Sequence, residues 1–420
     1  MQCVLGLQRL EVLPHSKALV GMYPGAPFLQ FGTFSIMKAM ILAAGKGTRV
    51  RPLTYDLPKP MIPILGKPVM AYLVEHLAQH GVTEIMVNVS YLHDKIEEYF
   101  GEGHQFGVQI GYSFEGYTND AGEVVPQPLG SAGGMKKIQE FGGFFDDTTI
   151  VLCGDALIDL DLEAALREHR RSGALASVIT LEVPWDKVSS YGVVVSDDDG
   201  RIRAFQEKPA QGEALSNCVS TGIYLFEPEV LDLIPSDRPF DIGSELFPLL
   251  VEQGLPFYAQ KRQYNWIDIG SVKDYWEVLQ SVLMGEVAQL HVPGTEIAEG
   301  VWTGLNTSID WSGGTRIEGP VYIGSGCRIE AGATIIGPTW IGHGSHVCSG
   351  AEVVRSVLFE YTRVLPDVLL DEMIVFKDFS VDRAGEMRHV SDDASIAWGN
   401  ARDRRSQRRA EVPPARYATQ

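Results

Sequence analysis

The chain has 420 residues, of which 45% are hydrophobic and 21% are charged, and its formal net charge is −19 at pH 7. This length exceeds one ordinary domain of about 100–200 residues, so we expect two or three globular domains. The strongly acidic balance argues against non-specific binding to nucleic acid or to an anionic membrane surface, although a few local cations suffice to bind one nucleotide.

The cysteines and the apolar runs indicate a cytoplasmic protein with reduced thiols. No CxxC pair or Cys/His cluster indicates zinc, and nothing indicates a disulfide framework. No apolar run approaches the about 20 residues that span a bilayer, and residues 1–36 lack the basic and apolar regions of a signal peptide. The cysteines are Cys3, Cys153, Cys218, Cys327 and Cys348.

The first strong strand pattern opens at Met37, in Met-Lys-Ala-Met-Ile-Leu-Ala-Ala. We expect the native domain to begin there, and residues 1–36 to be a loosely attached extension that is not part of the core.

From residue 37 to about residue 286, short β-rich runs alternate with amphipathic helical stretches. This alternation predicts βαβ units and a mostly parallel sheet covered on both faces, with ligands outside the carboxyl ends of the strands. The predicted strands are Lys38–Ala43, Glu84–Val89, Val108–Tyr112 and Thr149–Leu152. The predicted helices are Val69–His80, His93–Phe100, Ala132–Glu140 and Leu162–Ser172.

Between Ser177 and Lys261 the predicted strands come closer together, which indicates a mixed-sheet insertion that builds one wall of a cleft. These strands are Ser177–Glu182, Gly192–Ser196, Ile202–Gln206 and Thr221–Phe226. Two helices, Asp241–Glu252 and Lys273–Met284, are expected to close the domain.

After about residue 295, apolar β-branched residues recur every six positions, often close to glycine. A period of six fits neither a helix nor simple strand alternation, and it predicts a triangular β-solenoid over residues 287–376. The recurring residues are Ile317, Ile323, Ile329, Ile335, Ile341, Val347 and Val353.

The tail, residues 377–420, loses this period and carries an arginine cluster. We expect a partly disordered, solvated tail rather than a binding site for anions or a partner. The cluster comprises Arg402, Arg404, Arg405, Arg408 and Arg409.

The first strand runs into a glycine-rich turn, Leu42-Ala-Ala-Gly-Lys-Gly-Thr-Arg-Val-Arg-Pro-Leu53. Glycines let backbone N–H groups approach a phosphate, and Lys46, Arg49 and Arg51 supply cations. The turn is neither a Walker A loop nor a GxGxxG dinucleotide turn, and a purely structural turn is the alternative.

With Pro58-Lys59-Pro60, this segment resembles the signature GxGTRxxPLT…PKP of the sugar-1-phosphate nucleotidyltransferases. The resemblance covers residues 37–286. It implies an α/β fold with a Rossmann-like mixed, mostly parallel sheet, followed by a left-handed parallel β-helix like that of family members with hexapeptide repeats. It implies nucleotide binding by residues of the first turn and by Gly130, in a Leu-Gly-Ser-Ala-Gly stretch. The residues of the turn are Leu42, Ala44, Gly45, Gly47, Thr48 and Arg49.

The same resemblance implies a magnesium site. Asp155 ends the strand Val151-Leu-Cys-Gly-Asp, and Asp268 lies in Trp266-Ile-Asp-Ile-Gly; both match the metal carboxylates of the family. Oxygen ligands of this kind suit Mg²⁺ together with substrate phosphates. A capping aspartate at the strand end is the alternative for Asp155.

Phe205-Gln-Glu-Lys-Pro209 resembles the motif that binds the sugar phosphate. It implies that Lys208 pairs with the phosphate and Glu207 with sugar hydroxyls, while Tyr191 and Gly192 line the sugar pocket. Where many members have Asn-Ala-Gly, this chain has Ser220-Thr221-Gly222, so Thr221 is expected to bond a hydroxyl and the sugar is less well defined.

The implied reaction joins a nucleoside triphosphate to a sugar 1-phosphate and releases pyrophosphate, with Arg49, Lys59, Asp155, Lys208 and Asp268 as catalytic residues. GTP with mannose 1-phosphate is the first choice, and glucose 1-phosphate with UTP, dTTP or ATP stays open. The alternatives are a non-catalytic regulatory homologue and an acyltransferase that uses His343 or His346 of the solenoid. We also expect a homo-oligomer, a dimer or a tetramer, formed through the solenoid or the catalytic domain.

Overall fold

The computed structural model describes residues 37–287, 290–377, 379–389 and 398–401. The N-terminal extension and the arginine cluster of the tail lie outside the described residues. None of the helices in the described part of the chain has the length and apolar character that crossing a bilayer requires.

The first part of the described chain consists of six α-helices and fifteen strands, counting those outside the main sheet. The helices are α1 (Val69–Gln79), α2 (His93–Phe100), α3 (Ser131–Gly142), α4 (Leu162–Ser172), α5 (Phe247–Glu252) and α6 (Val272–Leu283). The strands are β1 (Met37–Leu42), β2 (Pro63–Ile64), β3 (Lys67–Pro68), β4 (Val82–Val89), β5 (Gln109–Phe114), β6 (Gly116–Thr118), β7 (Val124–Pro126), β8 (Thr149–Cys153), β9 (Ala156–Ile158), β10 (Ala176–Glu182), β11 (Gly192–Ser196), β12 (Ile202–Glu207), β13 (Cys218–Phe226), β14 (Phe257–Lys261) and β15 (Trp266–Asp268).

Nine of these strands, within the described residues, form one sheet of order β12-β11-β13-β8-β1-β4-β5, with β10 joining β13 to β14. Strand β1 lies parallel to β4 and β8, and β4 lies parallel to β5. The insertion is antiparallel at β8–β13, β10–β13, β11–β12 and β11–β13, while β10–β14 is parallel. The mixed α/β sheet is confirmed, although its antiparallel share is larger than the alternating pattern predicts.

Central strand β1 shows why the parallel half forms. Ala39, Met40 and Ile41 are fully buried, as expected of a strand that is covered on both faces of a parallel sheet. On one side of the sheet Ile41 packs with Leu73 of α1, and on the other Met40 packs with Met135 of α3. Because β1, β4, β5 and β8 run parallel to one another, their carboxyl ends share one edge of the sheet.

The predicted helix Asp241–Glu252 is a π-helical turn, Ile242–Leu246, followed by α5. Pro248 has no N–H group to donate to the carbonyl four residues earlier, so a regular α-helix cannot run through this position. The wider turn is capped by the Asp241 side chain.

The second part of the described chain is built from short strands. They are β16 (Thr295–Ala298), β17 (Val301–Thr303), β18 (Ser308–Ile309), β19 (Arg316–Glu318), β20 (Val321–Ile323), β21 (Arg328–Ile329), β22 (Thr334–Ile336), β23 (Thr339–Ile341), β24 (His346–Val347), β25 (Glu352–Val354), β26 (Val357–Leu358), β27 (Thr362–Val364), β28 (Leu369–Asp371), β29 (Met373–Phe376), β30 (Phe379–Asp382), β31 (Met387–His389) and β32 (Trp398–Asn400).

These strands stack in three ladders that are parallel along most of their length. Val321 pairs with Thr339, Ile329 with Val347 and Ile335 with Val353, so these strands meet the strand eighteen residues further on. Three hexads thus make one coil, and the recurring Ile and Val residues form its interior. This arrangement is consistent with the predicted β-helix; its left-handed sense stays a prediction.

The coil packs against the first part of the described chain through a second, outward-facing apolar set. Tyr275 and Trp276 of α6 belong to the same buried cluster as Trp340, Phe359 and Phe376 of the coil. The Tyr275 and Phe359 ring centroids lie 6.3 Å apart. Because the shared core is continuous, the described residues group into one compact unit.

A buried histidine predicts acid sensitivity of the fold. His169 is fully buried; its Nε2 lies 2.9 Å from Glu227 Oε1, and its Nδ1 lies 2.7 Å from Ser177 Oγ. Burial, only partly offset by Glu227, holds the pKa of His169 below its usual value of about 6.5. The unfolded chain therefore binds this proton more readily, so stability is present above about pH 6.5 and is lost as the pH falls below it.

The thermal midpoint of the wild-type protein should decrease when the pH is lowered from 7.5 to 5.5. We expect this decrease to be larger than that of His169→Gln by on the order of 2 °C. Thermal unfolding at both pH values measures this difference. His104→Gln, at an exposed position, should behave as wild type; an equal slope for all three proteins would contradict the expectation.

Candidate active site

The glycine-rich turn follows β1 at the carboxyl edge of the sheet. Gly47 adopts a left-handed φ of +60°, and a Cβ there would lie 3.0 Å from Lys59 Cβ and 3.0 Å from Thr54 Cγ2. The Thr54 hydroxyl donates to the Gly47 carbonyl at 2.8 Å. By contrast, a Cβ on Gly45 would meet nothing within 4 Å. The fold itself therefore requires Gly47, whereas Gly45 offers an open backbone that a phosphate can approach.

Asp155 and Asp268 are brought together by strand pairing. Asp155 follows β8, and the next strand, β9, pairs antiparallel with β15 so that Ala156 lies opposite Asp268. The Lys59 ammonium forms an ion pair with Asp155, and its Nζ lies 3.6 Å from Asp268 Oδ1. The side chains of Lys59, Asp155 and Asp268 are 11%, 23% and 20% exposed, so the cluster is largely buried but still reached by solvent.

The two carboxylates of this cluster are of the type that could hold a cation. Burial of the Asp268 carboxyl raises its pKa, and the like charge of Asp155 raises it further despite Lys59. Burial alone lowers the pKa of Lys59, but Asp155 and Asp268 reverse this and raise the pKa above its usual value. Two carboxylates thus compete for one ammonium group, and their hard oxygen donors fit a divalent ion such as Mg²⁺.

Arg49 adjoins the same cluster from the glycine-rich turn. Its charge acts on Asp268 and on Lys59. A Cβ on Gly270, just after β15, would lie 3.9 Å from Arg49 Nη1. Arg49 and Lys59, both predicted catalytic residues, therefore share one site with the two carboxylates.

The residues predicted to bind the sugar phosphate lie on or next to the antiparallel pair β11 and β12. Gly192 of β11 lies opposite Glu207 of β12. Lys208 N–H donates to the Tyr191 carbonyl at 3.2 Å, and the Lys208 ammonium bonds the Glu207 carboxylate. Lys208 has a φ of +45°, which a non-glycine residue adopts only when its surroundings enforce it.

Cys153, at the end of β8, is influenced by charges from both groups of residues. Burial raises the pKa of this thiol, and the charges of Asp155, Asp268, Lys59 and Lys208 all act on it. The Lys59, Asp155 and Asp268 cluster and Lys208 therefore lie near the end of β8.

Thr221 is placed differently from its expected role. It is 3% exposed, and its hydroxyl donates to the Ile179 carbonyl at 3.0 Å. The hydroxyl is thus used within the sheet. Gly222, next to it, has a φ of +74°, and a Cβ there would lie 2.8 Å from Cys153 Sγ.

Gly130 precedes α3 at the same edge of the sheet. Its φ is +75°, and a Cβ there would lie 2.5 Å from the Phe240 carbonyl oxygen. Both the backbone conformation and the close Phe240 carbonyl exclude a side chain here. Position 130 of the Leu-Gly-Ser-Ala-Gly stretch therefore requires glycine.

Comparison with known proteins decides the family. The sequence model described as nucleotidyl transferase matches residues 38–284, which is more than half of the chain. The chain belongs to this family. It is a sugar-1-phosphate nucleotidyltransferase, and these transferases act on a nucleoside triphosphate and a sugar 1-phosphate (EC 2.7.7 class).

The relatives differ in their named substrates. This nucleotidyltransferase is 56% identical over 382 residues to a Synechocystis protein named UTP--glucose-1-phosphate uridylyltransferase, with 90% of this chain and 98% of the relative covered. It is 36% identical over 265 residues to mannose-1-phosphate guanyltransferase beta-B of Xenopus laevis, covering 61% and 69%. It is 30% identical over 311 residues to mannose-1-phosphate guanylyltransferase of Mycobacterium tuberculosis, covering 70% and 81%.

Two polar residues of this nucleotidyltransferase escaped the sequence analysis. Asn88 Oδ1 accepts from Ala43 N–H at 2.8 Å, and Asn88 Nδ2 donates to Glu115 Oε1 at 2.7 Å. Glu115 Oε2 accepts from Leu129 N–H at 2.9 Å, and the residue is 1% exposed. Asn88 and Glu115 lie at the carboxyl ends of neighbouring parallel strands, which is the signal that points to them.

This network joins the glycine-rich turn to the segment around Gly130. In Glu115→Gln one oxygen becomes an NH₂ group, so either Asn88 or Leu129 loses its acceptor. An unmade buried hydrogen bond costs about 1–2 kcal/mol, so we expect the KM for the nucleotide to rise about tenfold, with the KM for the sugar phosphate little changed. Steady-state kinetics test this; Glu98→Gln, at an exposed position on α2, is the control, and equal constants in both variants would contradict it.

The coil histidines contact neighbouring carboxylates. His343 Nδ1 lies 3.0 Å from Glu360 Oε1, and His346 Nε2 lies 2.8 Å from Glu330 Oε1. Cys348 Sγ adjoins His346 Nε2 at 3.9 Å, so Glu330, His346 and Cys348 have the ligand types of a metal site. Arg328 and Arg363 both act on this cluster, and their positive charges oppose a divalent cation there.

Proposed function

We propose that this nucleotidyltransferase transfers a uridylyl group from UTP to glucose 1-phosphate, giving UDP-glucose and pyrophosphate. The observation that carries the proposal is the 56% identity to a named uridylyltransferase over nearly the whole of both chains. That alignment extends beyond the catalytic region into the coil. Substrate choice depends on a few pocket hydrogen bonds, and a long, close match favours the same pocket.

GTP with mannose 1-phosphate, the first choice from the sequence, is the second candidate. It is supported by the relatives named for mannose 1-phosphate, which are 30–36% identical to this chain. Because these matches are more distant and cover less of the chain, we rank this pair below UTP with glucose 1-phosphate.

The catalytic problem is to bring two phosphates together. In our proposal Asp155 and Asp268 hold Mg²⁺, which neutralises charge on the triphosphate and on the incoming phosphate when it is bound. Lys59 and Arg49 bind the triphosphate, with Arg49 on the part that leaves as pyrophosphate. The raised pKa of Lys59 keeps its ammonium charged at neutral pH.

Lys208 orients the sugar phosphate in this proposal. Its backbone bond to Tyr191 and its contact with Glu207 hold the ammonium at the edge of the cleft. An oxygen of the sugar phosphate attacks the α-phosphorus of the nucleotide, and the bond from that phosphorus to pyrophosphate breaks. The attacking oxygen is already ionised, so the reaction needs no protein base, and positioning with charge neutralisation supplies the rate.

The domain organisation is also proposed. We assign residues 37–286 to the catalytic domain, 287–376 to a left-handed β-helix and 377–420 to a C-terminal tail. We propose that the β-helix or the catalytic domain supports a homo-oligomer, since a solenoid offers flat faces to a second copy.

Pyrophosphate release tests the proposed reaction. ATP, CTP, GTP, UTP and dTTP would each be combined with glucose 1-phosphate and with mannose 1-phosphate, with and without Mg²⁺. We expect UTP with glucose 1-phosphate to react fastest and its product to have the mass of UDP-glucose. A faster reaction with GTP and mannose 1-phosphate would favour the second candidate. Folded protein that binds nucleotide but converts no pair would favour a regulatory homologue.

A further inference from the structure

A short turn, Phe240–Gly243, separates the two substrate regions of the cleft. We call it the bridging turn. On one side of it lies the nucleotide segment, Leu129–Gly134, and on the other lies the sugar-phosphate pair, Glu207 and Lys208.

Four hydrogen bonds join the bridging turn to the nucleotide segment. Phe240 N–H donates to the Leu129 carbonyl at 2.9 Å, and Gly133 N–H donates to the Phe240 carbonyl at 2.9 Å. The Ser131 hydroxyl donates to Asp241 Oδ2 at 2.8 Å and accepts from Ile242 N–H at 2.8 Å. The turn and the segment, about 110 residues apart in sequence, are thus held in fixed register.

The two carboxylate oxygens of Asp241 have different hydrogen-bond partners. Oδ1 accepts from the N–H groups of Gly243 and Ser244, each at 2.9 Å, as in an ordinary helix cap. Oδ2 is left for Ser131. Burial of this carboxyl acts to raise its pKa, but the hydrogen bonds from Ser244, Ser131 and Gly243 outweigh it and hold the pKa below its usual range. The charged form therefore persists at neutral pH.

The other side of the bridging turn touches the sugar-phosphate pair. A Cβ on Gly243 would lie 2.6 Å from Glu207 Oε2, so the Glu207 carboxylate fits in its position because residue 243 has no side chain. Glu207 in turn holds the ammonium group of Lys208. One turn therefore contacts the residues on both sides of the cleft.

We propose that Asp241 is a positioning residue that sets the spacing between the nucleotide segment and the sugar-phosphate pair, acting through Ser131. This inference rests on the proposed function, because the two regions must then align two substrates for one attack. A misplacement of about 1 Å can cost on the order of 10² in rate even when each substrate still binds. Loss of the contact between Asp241 and Ser131 should therefore lower kcat more than it raises either KM.

Two substitutions distinguish the contact between Asp241 and Ser131 from the role of Asp241 as a helix cap. Serine is a good cap residue but has one short oxygen arm, so Asp241→Ser keeps the cap and loses the contact with Ser131. Asparagine keeps both arms: its oxygen can accept from the cap N–H groups, and its NH₂ group can donate to the second lone pair of the Ser131 hydroxyl oxygen, so the contact persists with its direction reversed. Asp241→Asn should therefore rescue the loss. Asp161 caps α4 by accepting from Ala164 N–H at 2.8 Å in an exposed position, which makes Asp161→Ser the matched control.

We expect Asp241→Ser to lower kcat at least about tenfold with each KM within about threefold of wild type. Asp241→Asn and Asp161→Ser should stay within about threefold of the wild-type kcat. Folded Asp241→Ser with a wild-type kcat would overturn the proposal, and so would an equal loss in Asp241→Asn.

Amide hydrogen exchange provides a readout that needs no turnover. Exchange in residues 129–134 should be faster in Asp241→Ser than in wild type and unchanged in Asp161→Ser, because Gly133 N–H is bonded to the bridging turn. Unchanged exchange in Asp241→Ser would overturn the proposal. A wild-type protein that converts no substrate pair would count against the proposed function, and the exchange result would then decide the positioning role.

Discussion

Replacement of Asp155 by asparagine is expected to lower kcat at least about 10²-fold, the scale for losing one preorganised charged group in an active site. The substitution keeps the shape of the side chain and removes its charge. Asp155 is the ion-pair partner of Lys59, and its like charge acts on Asp268. Its loss therefore leaves one carboxylate where the proposed Mg²⁺ site has two.

The measurement is the rate of pyrophosphate release as a function of Mg²⁺ concentration. We expect Asp155→Asn to require more Mg²⁺ and to stay slow at saturation. Asp198→Asn, at an exposed position in the turn between β11 and β12, is the control for a neutralised aspartate. Near-normal turnover in folded Asp155→Asn would remove Asp155 from the catalytic set.

Replacement of Lys208 by alanine should produce a second loss of at least about 10²-fold, in kcat/KM for the sugar phosphate. Lys208 has the strained φ of +45° and is held by the Tyr191 carbonyl. Such strain persists where the surroundings enforce it, and it is common at functional sites. The KM for the nucleotide should change little, since no contact joins Lys208 to the glycine-rich turn among the described residues.

Steady-state kinetics with each substrate varied separately check this expectation. Lys261→Ala is the control: it removes an exposed lysine of β14 that pairs with Glu182 at 2.5 Å. An unchanged kcat/KM for the sugar phosphate in Lys208→Ala, or a matching loss in Lys261→Ala, would contradict the assignment.

Much of the fold was predictable because its periodicities are simple. The apolar run of β1 and the helices beside it indicated the parallel half of the sheet, and the hexads indicated the coil. The residues Ile323, Ile335 and Val353 point inward in that coil and are fully buried. Each of these patterns reflects burial on a regular element, which the sequence records directly.

The contact between coil and catalytic region was not predictable in this way. Trp340 and Phe359 face outward from the coil, out of phase with the hexads, and pack against Tyr275 and Trp276 of α6. A six-residue period identifies the interior of a coil but not which outer face is covered. The residues that join two regions are set by tertiary packing.

The residues of the candidate site were also predictable only in part. Residues in short motifs, such as Lys59 and Asp155, were found and lie together. Asn88, Glu115 and Asp241 were missed as site residues, because each acts through hydrogen bonds to segments distant in sequence. The Thr221 hydroxyl was expected to face the sugar, but it donates to Ile179, because the strand pairing of β10 and β13 brings that carbonyl within reach.

The most direct test of the central claim is a comparison of two substrate pairs under identical conditions with Mg²⁺. We would measure kcat/KM for UTP with saturating glucose 1-phosphate, and for GTP with saturating mannose 1-phosphate, and identify each product by mass. A value for UTP at least about a hundredfold higher corresponds to a difference of about 2.7 kcal/mol in transition-state binding and is the result we predict. An equal or higher value for GTP with mannose 1-phosphate would contradict the proposed uridylyl transfer.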